Sequence, residues 1–418
     1  MGNLSEVQMR AFDDANWLDR LKTNKDGEYV NALLNVLEIL KNDSEWEGVL
    51  AFNEFTGAPV KLECPPYDLA EEGEWTDDDT NMATAWLSAR YGMMRPEPYI
   101  VPAMTTAAKY STFHPIRDWL AGLEWDGKQR LATLFNRYFG AECSRYTELV
   151  AKKFLVAAVA RVMEPGCKAD NVLILEGGQG IRKSTGLQAL AGEAYFSDQR
   201  LQLKGDKDSL QALSGKWIFE LAELDSFNKA ESTEAKAFFA AQSDRYRAPY
   251  GRSQREVKRQ CVFAGTTNQD EYFRDQTGNR RYWPVFCTDV DLAALRRDRD
   301  QLWAEAAHLY REGMPHHVLE EERPLFEAEQ AKREIADPWI ELIATWLEAK
   351  NEVTLAQVLT DCLQIDRGRI DDRGMTTRVG RCMKRVGGWK KVEVCRPGVR
   401  FVYRRDASWV GGGNDGPL

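Results

Sequence analysis

A short apolar run, Asn171 to Glu176 (NVLILE), opens directly into the glycine-rich stretch GGQGIRKST, Gly177 to Thr185, and a helical pattern follows from Ser184 to Ala191. Continuous apolar residues without polar alternation suit a strand buried on both faces, and such strands belong to parallel sheets covered by helices. Strand, glycine turn and helix in this order predict an α/β core with a phosphate-binding loop (P-loop). Such a loop offers backbone N–H groups and a helix N-terminus to phosphate oxygens, a lysine to the β and γ groups, and a hydroxyl to magnesium. The candidate nucleotide-binding set is Gly177, Gly178, Gln179, Gly180, Ile181, Arg182, Lys183, Ser184 and Thr185, with Lys183 supplying the charge and Ser184 the hydroxyl. One position departs: Arg182 occupies the second fixed glycine of G-x-x-x-x-G-K-[ST], where glycine lets the backbone approach the phosphates. Its guanidinium blocks the loop, points away or adds a phosphate contact. A decayed loop that does not hydrolyse is the plain alternative.

Two further buried-strand patterns follow, Trp217 to Leu221 (WIFEL) and Gln260 to Thr266 (QCVFAGT). ATP hydrolysis needs a carboxylate to position magnesium and activate water, usually at the end of a neighbouring strand. Glu220 and Glu223 in WIFELAELD fit that need, since glutamates in an apolar strand must pair or solvate; the spacing does not divide the two roles between them, and buried structural ion pairs are the bland reading. Asn268 ends the third strand, where a polar tip sits beside a γ-phosphate, although asparagine is also a common turn residue. Arg280 and Arg281 precede the Pro-interrupted run Tyr282 to Phe286; one of them is a candidate arginine finger for a neighbouring subunit, against a surface ion pair. Between the strands, DRYRAPYGRSQREVKRQ alternates like a hairpin and places Arg245, Arg247, Arg252, Arg255, Lys258 and Arg259 among Tyr246 and Tyr250. Cations interleaved with aromatics suit a single nucleic-acid strand, whose phosphates and bases they meet in turn; a solvated hairpin looks similar.

Around this core the chain reads as an acidic, mainly helical accessory N-terminal region, 1–110, a helical region, 111–165, the P-loop core, 166–330, a basic module, 335–406, and a disordered tail, 407–418. Net charge is −9, yet residues 1–110 hold 20 acids against 9 bases and residues 366–406 hold 13 bases against 5 acids. The acidic run Glu71 to Asp79 is read as a loop or helix N-terminus before a nucleic-acid mimic. The helical patterns after Asp337 and the alternating segment Trp389 to Tyr403 around Pro397 and Gly398 suggest a small winged-helix module. The cysteines, at 64, 143, 167, 261, 287, 362, 382 and 395, form no Cys-x-x-Cys pair, so reduced thiols are expected in place of a zinc site. No stretch reaches the roughly 18 apolar residues of a membrane span and no secretory signal opens the chain, so the bacterial host cytoplasm is the expected location.

The segments LILEGGQGIRKST, KWIFELAEL, RYRAPYGR, FAGTTNQDEYFRD and TGNRRYWP together resemble the virulence-associated E family of phage and prophage proteins, which belongs with the superfamily 3 helicases. The similarity runs from about Phe113 to Ala306, roughly half the chain. It implies an AAA+-like ring ATPase that uses ATP and Mg2+, with Lys183 and Ser184 as the Walker A pair, Glu220 and Glu223 in the Walker B region, Asn268 as sensor 1 and Arg280 or Arg281 as the finger. It further implies that the basic hairpin engages DNA, single-stranded, in the central channel of a homo-oligomeric ring, hexameric by type, with other replication proteins as possible partners. Some relatives carry an N-terminal primase-polymerase domain; residues 1–110 are short for one and show no catalytic carboxylate pattern. The alternative is a replication initiator or regulator that binds DNA and uses nucleotide as a switch, with little hydrolysis.

Overall fold

The computed structural model describes residues 17–201, 207–222, 229–247, 254–269, 272–273, 279–333, 337–366, 368, 372–397 and 399–406. The chain divides into two compact units, Met1–Arg333 and Glu334–Leu418. Among the described residues no helix is long and apolar enough to cross a membrane.

The first unit opens with helix α1 (Leu33–Asn42), strands β1 (Leu50–Asn53), β2 (Ala58–Lys61) and β3 (Gly73–Glu74), helices α2 (Asp77–Tyr91) and α3 (Glu97–Ala108), and strand β4 (Thr112–Phe113). The strands pair in the order β3-β2-β1-β4, a small sheet whose strands are too short to leave a period in the sequence. The acidic run resolves into a helix start: Asp77, Asp78 and Asp79 fill the first turn of α2, and Thr76 and Asp79 form a capping box. Carboxylates there complement the positive end of the helix. Asp79 also receives the ammonium of Lys61 at 2.6 Å, with both groups buried.

Helices α4 (Pro115–Gly122), α5 (Leu134–Phe139) and α6 (Arg145–Met163) then lead to strand β5 (Val172–Glu176) and helix α7 (Lys183–Ala191). The chain continues through β6 (Phe196–Ser197), α8 (Lys207–Ala212), β7 (Ile218–Ala222), α9 (Lys229–Ala240), a hairpin of β8 (Ser243–Arg247) and β9 (Gln254–Lys258), β10 (Val262–Thr267), β11 (Tyr282–Phe286), α10 (Leu292–Arg311) and α11 (Arg323–Ala331). A five-stranded sheet of order β11-β5-β10-β7-β6 stands at the centre, and each neighbouring pair is parallel. Side chains of β5 alternate between two cores: Leu173 and Leu175 join the layer that holds α6, α7 and α10, whereas Val172 and Ile174 meet Phe238 and Phe239 of α9. Both faces are therefore covered, which is why NVLILE carries no polar alternation. Pro284 is accommodated because β11 is an edge strand, where no ladder bond is demanded of it on the outer side. Trp217 and Trp303 stack at 4.0 Å between centroids, and their indole N–H groups donate to Ala158 O and Leu190 O, which locks the sheet to α6, α7 and α10.

The second unit contains α12 (Trp339–Leu347), β12 (Glu352–Val353), α13 (Leu355–Gln357) running into a π turn at Val358–Cys362, α14 (Arg373–Val386), β13 (Trp389–Arg396) and β14 (Val399–Arg405). Its three strands pair as β12-β14-β13. Ile343, Leu347, Val358, Leu359, Val379 and Met383 form its core together with Tyr403. Arg367, Arg369 and residues 407–418 lie outside the described residues.

Candidate phosphate site and basic ribbon

The glycine stretch leaves β5 at Glu176 and turns sharply. Gly177 has φ 132°, and a Cβ there would lie 2.1 Å from the carbonyl oxygen of Cys287, so no other residue fits without backbone movement. Gly178, Gln179 and Gly180 are exposed along the turn, Ile181 packs against the main core, and Thr185 is half-buried in α7. Arg182 is left-handed, φ 69° and ψ 31°, directly before the first residue of α7. That is the conformation a glycine adopts freely and an arginine adopts at a cost of roughly 1 kcal/mol. Its guanidinium points to the outer edge of the sheet, 3.3 Å from Asp289 in the loop after β11, where both side chains are largely exposed. It thus lies on the side of the loop away from β7.

Lys183 folds over the loop. Its Nζ donates to Gly177 O at 2.7 Å, Gly178 O at 2.9 Å and Asn268 Oδ1 at 2.9 Å. Burial pulls its pKa below the usual lysine range, against the smaller opposing pull of Cys287 and Glu220. Ser184 Oγ donates to Glu220 Oε1 at 2.7 Å, and Thr266 Oγ1 donates to the same oxygen at 2.6 Å. Glu220 is 1 % exposed. Burial pushes its carboxyl pKa up, and the hydrogen bonds from Thr266 and Ser184 only partly counter that. Its other oxygen, Oε2, is buried with no hydrogen-bond partner among the described residues.

These contacts exist because β10 lies between β5 and β7. Lys183 and Ser184 follow β5, Thr266 comes from β10 and Asn268 from just past its end, and Glu220 from β7, so the same end of three adjacent parallel strands supplies every group. The structure brings Lys183, Ser184, Glu220 and Asn268 together. Glu223 lies outside the described residues. Thr266 was missed, although it lies in the apolar strand two residues before Asn268.

The arginine pair separates. Arg281 Nε donates to Asp170 Oδ2 at 3.0 Å and is mostly buried, whereas Arg280 is exposed at the start of β11. A second cluster was also missed: the buried carboxylate of Glu176 is held by Arg333 through Nε (2.9 and 3.1 Å) and Nη2 (2.8 Å), and by the Tyr272 hydroxyl at 2.7 Å. Like Glu220, Glu176 in NVLILE is a glutamate in an apolar strand and must pair or solvate.

In the ribbon, β8 and β9 pair antiparallel, with Arg245 opposite Glu256 and Tyr246 opposite Arg255. Arg245 and Lys258 are exposed. Arg255 turns back to the N-terminal turn, its Nη2 donating to Gly57 O at 3.1 Å. Two residues of the sequence pattern prove to be internal: Tyr246 is buried, and Arg259 forks onto Asp244 at 2.6 and 2.7 Å while lying over the Phe238 ring. They brace the foot of the hairpin. Alternation along a strand sends every second side chain inward, so a run of cations and aromatics cannot all face a ligand. Tyr250, Arg252 and the side chain of Arg247 lie outside the described residues.

A family model described as the virulence-associated protein E-like domain matches residues 120–335, just over half of the chain. The chain belongs to that family. Among solved structures, the apo structure of the NrS-1 C terminal region is similar at 12% identity, covering 92% of this chain and 100% of that one with a TM-score of 0.48. The A form apo structure of the same region overlaps at 10% identity, 89% and 99% coverage and a TM-score of 0.45. No curated protein matches the chain.

Proposed function

We propose that the chain is a P-loop ATPase of the AAA+-like, superfamily 3 helicase type, which assembles as a ring and works on DNA in phage or mobile-element replication. The observation that carries this reading is the convergence of Lys183, Ser184, Glu220 and Asn268 at one end of three adjacent parallel strands. In this reading Lys183 exchanges the loop carbonyls for phosphate oxygens. Backbone amides of the glycine turn and of the start of α7 bind the remaining charge. Asn268, released from Lys183, becomes free to orient the attacking water.

The site suits magnesium. Ser184 Oγ and the unpartnered Oε2 of Glu220 form an all-oxygen donor pair, and two protein oxygens suit an ion that otherwise keeps water and phosphate ligands. Ser184 and Glu220 would hold the ion, which when bound would neutralise charge on the phosphates. Glu223 shares the Walker B role as a candidate. Arg280 is the better finger, because Arg281 is already engaged with Asp170 in its own chain. Arg245 and Lys258 are the described ribbon cations turned outward for DNA.

ATP turnover stimulated by single-stranded DNA, and lost in Lys183→Ala, is the expected result. Absence of turnover in the unaltered chain overturns the hydrolytic reading. A second reading, a DNA-binding initiator switched by nucleotide, is favoured by the left-handed Arg182 and by the second unit. The order there, helix, strand, two helices and two strands, with sheet order β12-β14-β13, supports reading it as a winged helix. Arg182→Gly discriminates between the two: a rise in turnover of about tenfold or more marks Arg182 as a brake on hydrolysis, and an unchanged rate marks it as a bystander.

A further inference from the structure

Lys183 and Arg333 bridge the same two segments from opposite sides. Lys183 joins the carbonyls of Gly177 and Gly178 to Asn268. Arg333 forks onto Glu176, the residue before Gly177, at 2.8 to 3.1 Å. Its own carbonyl accepts from the amides of Tyr272 and Phe273, at 3.1 and 3.0 Å, just beyond Asn268. The Tyr272 hydroxyl closes the circuit on Glu176. The third arm of the guanidinium, Nη1, is held by Glu329 Oε2 at 2.6 Å, so every nitrogen of Arg333 has a partner within the chain. Arg333 therefore cannot reach a nucleotide without releasing Glu176.

The ladder between β5 and β10 ends at Glu176 opposite Thr267. Beyond it the glycine loop and Asn268 diverge, with Lys183 as a tie on one side and the Arg333 cluster on the other. When Lys183 turns to phosphate, the first tie is lost. We propose that Arg333 is a positioning residue of the phosphate site, keeping the base of the glycine loop and the segment after Asn268 in register while Lys183 changes partners. This rests on the reading of the site as an ATPase. The Arg333 bridge then matters most in the nucleotide-bound state, for turnover more than for binding.

The test uses the full chain with Arg333→Lys, which keeps the charge and loses the fork, and with the pair Glu176→Gln and Arg333→Gln, which removes both charges should the lysine variant fold poorly. ATP affinity, kcat and hydrogen exchange of residues 176–185 are measured with and without ATP. The expected result is a kcat lowered about tenfold or more with affinity changed less than about threefold, and faster exchange in the loop with ATP bound while α6 and α10 keep their protection. Adding Glu176→Gln to Arg333→Lys should lower kcat little further, because both act through one bridge. Unaltered kcat and loop exchange, or affinity and kcat falling together, overturns the proposal. An unaltered chain that fails to bind ATP overturns the reading of the site itself, whereas one that binds without turnover leaves loop exchange to decide the role of Arg333.

Discussion

Glu220 is the residue at which stability and chemistry pull apart. Its carboxyl is buried, its pKa is raised by that burial, and one oxygen has no partner among the described residues. A raised carboxyl pKa means that the fold favours the neutral form, so ionisation weakens the fold above the ordinary glutamate range. At pH 7 Glu220→Gln should therefore stabilise the nucleotide-free chain by about 1 kcal/mol while lowering ATP turnover by about a hundredfold or more. A lower unfolding midpoint in the variant would contradict the assignment. His114 has the opposite sign relation to pH. Its Nδ1 accepts from the Arg117 amide and its Nε2 meets Gln260 Oε1 at 2.8 Å, so the buried ring is the neutral tautomer. Burial holds its pKa below the ordinary histidine value of 6.5. Its contribution is complete above that value and is lost as the pH falls through it toward the lowered one. Unfolding midpoints between pH 7.5 and 5 should decline less in His114→Asn than in the unaltered chain; equal slopes would exclude His114 as the source.

At the scale of elements, the basic character of the second unit is narrower than its composition suggests. In the hairpin of β13 and β14, Arg396 and Arg404 share Glu352, Arg400 meets Glu393, and Lys390 meets Asp406. Arg378 on α14 is paired with Asp337 and lies 3.7 Å from the Trp339 ring centroid. Arg373, Thr377 and Lys384 are exposed along α14 at helical spacing. If α14 is the DNA-contacting helix of this unit, replacing Arg373 and Lys384 with alanine should weaken duplex binding about tenfold and lower the salt slope by about 2. Alanine at Arg396 and Arg400 should change it far less. Equal losses from both pairs, in titrations at several salt concentrations, would remove α14 from its assigned role.

For the first unit as a whole, stability rests on the seam where the sheet meets α6, α7 and α10. Trp303 is fully buried there, stacked on Trp217 and bonded to Leu190 O. Trp303→Ala removes both the packing and the indole donor, and should destabilise the unit by about 3 to 5 kcal/mol. Denaturant titration followed through the remaining tryptophans measures it, and a loss below about 1 kcal/mol would place the core elsewhere.

Much of the site was legible in the chain because local chemistry demands it. NVLILE needs two buried faces, a glycine-rich turn must follow it, and Lys183 and Ser184 must come next on a helix N-terminus; these requirements act over a few residues and leave a pattern. The acidic run that ends in the first turn of α2 was legible as a loop or helix start for the same reason. Short strands such as β1 to β4, the edge strand β11 and the inward turn of Tyr246 and Arg259 left no such pattern. Their partners lie far away along the chain. Only the fold decided that β10 stands between β5 and β7, that Arg281 belongs to Asp170 while Arg280 stays exposed, and that Arg333 closes on Glu176. Each of those is a contact between distant segments, and its geometry exists only once the sheet has assembled.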